Sequence, residues 1–87
     1  MKLIFTEAAA KTLVKLPPAI ARRIVRKMQW FAAQEDPLSF AKPLKNANFG
    51  SHRFRVGEYR VLVDIQHKSI SILFVLAVRH RKDAYGL

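Results

Sequence analysis

Phe54-Arg55-Val56-Gly57-Glu58-Tyr59-Arg60-Val61-Leu62 is the stretch that decides the fold. Apolar residues alternate with charged ones on both sides of Gly57-Glu58. A two-residue connection with glycine at its first position, set between alternating runs, is a hairpin signal. The strand before it starts at His52, and the strand after it runs to Ile65. Beyond a second turn at His67-Lys68, Ser69 to Val78 reads as a third strand, so two hairpins follow one another as an antiparallel meander.

Successive strand side chains point to opposite faces. Phe54 and Val56 therefore oppose Arg53 and Arg55, while Tyr59, Val61, Val63 and Ile65 oppose Arg60, Leu62 and Asp64. In the third strand, Ile70, Ile72, Phe74 and Leu76 are the more apolar set and are expected on the buried side. By alternation His52 falls on the Phe54 side, at a strand end, and His67 is expected in solvent.

Toward the N-terminus, Lys2-Leu3-Ile4-Phe5 reads as a short strand. Thr6 can cap a helix from Glu7 to Leu16, with Glu7 favoured by the dipole of the first turn. Pro17-Pro18 breaks the chain, and a second helix follows to about Gln34. There Ile20, Ile24, Met28 and Phe31 form an amphipathic stripe. Leu38 to Gly50, rich in Pro, Asn and Gly, reads as a loop. The expected fold is α+β: an N-terminal strand and a two-helix hairpin packed on a small, largely antiparallel four-stranded sheet. Residues 1–87 form one domain in this reading. Arg53, Arg55 and Arg60 then converge on the sheet face that the helices leave open.

Sixteen Lys and Arg against six Asp and Glu give the 87 residues a formal charge of +10, which calls for a polyanionic partner. The absence of cysteine excludes disulfides and thiolate zinc sites. The longest apolar run, Ile70 to Val78, is too short to span a bilayer, and the N-terminus lacks a signal-peptide pattern. A cytoplasmic protein without membrane association is expected.

The tail carries Arg79, His80, Arg81, Lys82 and Tyr85, and Lys45 adds charge in the loop. Guanidinium groups grip phosphate oxygens bidentately, and Tyr85 offers a plane for a base. An open arginine face beside such a tail is a plausible phosphate cradle; a solvated basic face is the bland alternative. His52, His67 and His80 lie on different elements without ligand spacing, so no metal or cofactor is expected. Glu58 and Asp64, the carboxylates nearest the basic face, are expected to pair with arginines.

Phe54 to Leu62 resembles the F-R-V-G-D/E-Y-R-V/L hairpin of the RelE branch of the RelE/ParE toxin superfamily, and Val78-Arg79-His80-Arg81-Lys82-Asp83-Ala84-Tyr85 resembles its V-G-H-R-K/R-D/E-V-Y ending. The opening strand, the Glu7-Ala8-Ala9-Ala10 helix start and the Lys15-Leu16-Pro17 break are similar too. The resemblance implies a type II toxin that cleaves mRNA on the ribosome without a metal, neutralised by a cognate antitoxin that is acidic where it covers the basic face. By position it implies Arg53, Arg55, Arg60, Arg81 and Tyr85 as site residues; Arg55, Arg60, Arg81 and Tyr85 are the expected catalytic residues, and Arg53, Arg79, His80, Lys82 and Lys45 the expected RNA-binding ones. Arg53 and Arg55 stand where some members carry lysine, which leaves the general base open among Tyr85, His80 and Glu58. Arg79 replaces the family's glycine. Two other readings stand beside this one: a ParE-like inhibitor of DNA gyrase without nuclease activity, and a non-catalytic RNA-binding module.

Overall fold

A computed structural model describes residues 1–84. Seven elements of regular structure follow in chain order: β1 (Lys2–Phe5), α1 (Glu7–Lys15), α2 (Pro18–Ala33), β2 (Lys42–Pro43), β3 (His52–Val56), β4 (Tyr59–His67) and β5 (Ser71–His80). Short 3-10 turns occupy Pro37–Phe40, Ala47–Phe49 and Arg81–Asp83.

The caps read from sequence are present. Thr6 Oγ1 accepts from the Ala9 N–H at 3.3 Å and donates to the Val75 carbonyl at 2.9 Å, so one hydroxyl both starts α1 and ties it to β5. Pro18 opens α2 at a position where its missing N–H costs nothing.

The sheet runs β1-β5-β4-β3-β2, antiparallel except for the β1–β5 pair. Both helices cover one face. Ala9, Ile24, Met28 and Phe31 meet Phe54, Val56, Val61, Val63, Leu73, Val75 and Val78 there, and Phe31 stacks on Phe54 with ring centroids 4.7 Å apart. Among the described residues no polar or charged side chain is buried.

Three expectations are corrected. The sheet has five strands, because Lys42–Pro43, read as loop, pairs with Arg53 and His52. Proline suits this edge position, where it has no ladder bond to donate outward.

The buried set of β5 is Leu73, Val75 and Val78, not Ile70, Ile72, Phe74 and Leu76. β5 lies between β1 and β4 and is apolar on both parities, so alternation could not choose a side. A register shift then resets the phase: Leu62 faces Ala77 but Val63 faces Val75, which leaves Leu76 as the extra residue of a bulge. Ile70 precedes the strand and is exposed.

Finally, Arg79 and His80 belong to β5 rather than to a tail.

Two glycines are structurally required. Gly57, at φ +58, turns the β3–β4 hairpin. Gly50, at φ +122, lies so close to β4 that a Cβ would sit 2.5 Å from the Val63 carbonyl oxygen.

Candidate nucleic-acid interface

The open face of the sheet is divided. Ile4, Ile72 and Phe74 occupy the part near β1, where Ile72 and Phe74 pair with Lys2 and Ile4. The part near the β3–β4 hairpin is cationic. Arg55 on β3 lies directly across from Arg60 on β4, and Arg60 lies directly across from Arg79 on β5. Three guanidinium side chains thus form one row over three strands. In the next row Lys42 lies across from Arg53.

Like charges directly opposed in a sheet cost stability. Among the described residues no carboxylate forms an ion pair with Arg55, Arg60 or Arg79; the ion pairs are Glu7–Lys11 and Glu58–Arg81. Arg60 is held in place instead: its Nη1 donates to the Gly57 and Tyr59 carbonyls, both at 3.2 Å. Arg79 lies 6.0 Å from the centroid of the Phe49 ring. Arg55 is exposed. Clustered guanidinium groups with no counter-charge among the described residues suit a ligand that brings several anionic oxygens.

Phe40, Lys42, Arg53, Arg55 and Arg60 enclose a cleft of about 150 Å³. Sequence reasoning placed the three arginines together but missed Lys42 and Phe40. Both fall in an aperiodic stretch, and only the pairing of Lys42 with Arg53 reveals that they share this face.

The remaining candidates are arranged around the cleft's hairpin end or away from it. Arg81 is tied to the hairpin turn twice. Its Nε sits 2.9 Å from Glu58 Oε2, and its backbone N–H donates to the Glu58 carbonyl at 2.7 Å. Lys82 is exposed in the same turn. His80 does not join the arginine row. It packs edge-to-face on Tyr59, 5.3 Å between ring centroids, and its Nδ1 accepts from the Lys82 N–H at 3.3 Å. It lines a larger groove of about 800 Å³ between α1 and the end of β5, with Thr12, Leu16 and Tyr59. Lys45 is exposed in the turn after β2 and is not part of the cleft wall. Asp64 does not pair with arginine as expected; its carboxylate accepts from the Ile65 N–H at 3.0 Å. Tyr85 lies outside the described residues.

Comparisons with known proteins agree on one group. The profile of the family described as ParE toxin of type II toxin-antitoxin system, parDE, matches residues 3–85. Toxin RelG of Mycobacterium tuberculosis (strain ATCC 25618 / H37Rv) is 35% identical over 81 residues, covering 93% of this chain and 91% of its own. A chain in the crystal structure of the toxin-antitoxin complex RelBE2 from Mycobacterium tuberculosis superposes with a TM-score of 0.74 at 32% identity, over 92% of this chain and 96% of that one. The YoeB/ParE toxin from Agrobacterium tumefaciens shares the fold, with a TM-score of 0.67 at 19% identity over 92% of this chain and 98% of that one.

Proposed function

The chain belongs to the ParE toxin family of type II toxin-antitoxin systems, and from that premise we propose that it is an endoribonuclease that cleaves messenger RNA on the ribosome without a metal. The observation that carries this reading is the opposed row Arg55–Arg60–Arg79 beside Arg53 and Lys42. A protein keeps such a row, at a cost in stability, where a polyanion must be held.

The chemistry needs only the RNA's own 2′-hydroxyl. Its oxygen forms a bond to phosphorus as the bond from phosphorus to the 5′-oxygen breaks. One proton leaves the 2′-oxygen and another is delivered to the 5′-oxygen. The phosphorane between them is crowded and anionic, and the clustered guanidinium groups stabilise that charge in place of a metal. Arg55 and Arg60 clamp the phosphate, and Arg81 reaches it from the hairpin turn once Glu58 yields to the RNA oxygens. Arg53, Arg79, Lys82 and Lys45 steer the strand. Tyr85 takes the proton-transfer or stacking role; Glu58, once released by Arg81, and His80, which faces Tyr59, are the other candidates for the base.

The partner is a cognate antitoxin with acidic residues where it covers the arginine row. The outer edge of β5 beyond Val75 has no strand neighbour among the described residues, so an antitoxin segment can extend the sheet there. Messenger RNA and ribosomes place the protein in the cytoplasm. Among the described residues no helix is long and apolar enough to cross a membrane.

Mapping message ends after controlled expression tests this reading against the gyrase alternative. New discrete ends within messages support the nuclease. Trapped gyrase–DNA complexes with intact messages refute it. Arg81→Ala is expected to abolish growth inhibition with the fold retained, because exposed substitutions rarely unfold a domain; circular dichroism and colony counts check both halves. Any cleavage of free RNA should survive EDTA.

A further inference from the structure

We propose that Phe40 forms the floor of a nucleobase subsite, so that the cleft holds a base and its phosphate together; this rests on the cleft being an RNA site. The 3-10 turn Pro37–Phe40 brings the ring to the sheet edge just before β2. Phe40 ends that turn two residues before Lys42, which pairs with Arg53, and it shares the cleft wall with Arg55.

The ring is rigidly held from behind. It lies 5.5 Å from Phe31 and meets Trp30 edge-on at 5.2 Å, while Phe31 is stacked on the buried Phe54. Yet Phe40 is 45% exposed, and it lines the cleft whose other walls are Lys42, Arg53, Arg55 and Arg60. A large apolar ring fixed by the core and left half open beside four cations is poorly explained by packing alone. At about 150 Å³ the cleft is below the roughly 300–1,000 Å³ of drug-sized pockets and suits one small planar group. A nucleotide matches both of its surfaces: the base has a π-face for the ring, and the phosphate has oxygens for the guanidinium groups. An acidic peptide would satisfy the cations and leave the ring unused.

The test uses a single-stranded 2′-fluoro RNA hexamer, which lacks the nucleophile, and the same backbone with abasic positions. Affinities are read by anisotropy of labelled strands. Stacking of one base corresponds to about a five- to 140-fold change in affinity. The intact hexamer should bind the native chain more tightly than the abasic one by that factor. Phe40→Leu should remove the difference and leave abasic binding unchanged. Phe40→Trp should restore it, and Arg55→Ala should weaken both strands. Trp30, the chain's single tryptophan, gives a second readout, because a base on Phe40 should quench its fluorescence.

A folded Phe40→Leu chain that binds intact RNA as tightly as the native one would overturn the subsite and leave the RNA reading standing. Failure of the native chain to bind either strand would overturn the RNA reading itself. Displacement of RNA by a polyglutamate peptide with the same dependence on Phe40 would overturn base recognition in favour of a protein ligand.

Discussion

The two faces of one sheet obey opposite rules. Under the helices, Phe54, Val61, Val63, Leu73 and Val75 are fully buried and no charge intrudes. On the other face, Arg55, Arg60 and Arg79 oppose one another with no carboxylate paired to them among the described residues. The first arrangement minimises free energy, and the second raises it. Even the open face is not uniformly basic, since Ile4, Ile72 and Phe74 hold its β1 side. Location, more than the formal charge of +10, therefore marks the candidate site. A closed apolar face supplies the stability that lets the other carry an opposed cationic row, the arrangement proposed to hold RNA.

Substitutions should separate these faces. The largest effect belongs to the closed one. Phe54→Ala removes the ring stacked on Phe31 and is expected to cost about 3–5 kcal/mol, read from urea unfolding. A smaller loss would mean that the helices do not rest on the sheet as described. Gly50→Ala strikes the segment that crosses toward the open face. Its φ of +122 and the 2.5 Å approach to the Val63 carbonyl predict a loss of roughly 1–3 kcal/mol in the same assay.

Replacing Arg55, Arg60 and Arg79 together by alanine should act in the opposite sense. The fold should gain roughly 0.5–1 kcal/mol from the relieved repulsion. The slope of log affinity for single-stranded RNA against log salt should fall by roughly 2. Stability and binding moving together would erase the distinction between the faces. The smallest effect is expected at Glu58→Gln. With side chains 59% and 58% exposed, the Arg81–Glu58 pair is worth at most about 1 kcal/mol, so thermal unfolding should barely move while Arg81 is freed for an anion.

Much of this organisation is legible in the sequence where a pattern has one solution. Arginines alternating with Phe54, Val56, Tyr59 and Val61 leave no doubt which set is buried, so the convergence of Arg53, Arg55 and Arg60 can be read directly. The same holds for Thr6 as a cap and Pro17-Pro18 as a break. β5 is different. Its residues are apolar on both parities, and the Leu76 bulge shifts the phase in a way that no local residue announces. Lys42 and Phe40 are hidden for another reason. A two-residue edge strand is too short to show a period, so their place on the arginine face emerges only from pairing. The polar residues Arg79 and His80 look like a tail because charge usually marks the end of a strand. Here the strand continues because Arg60 and Tyr59 lie opposite them. An arginine partner for Glu58 is legible in the sequence, but that this partner is Arg81, which joins the third turn to the hairpin, is not.

The most direct trial of the arginine row compares message ends in cells expressing the native chain with those expressing the Arg55→Ala, Arg60→Ala, Arg79→Ala chain at equal, folded levels. Discrete internal cuts are expected in the first and intact messages in the second. Unchanged cutting by the triple variant would contradict it.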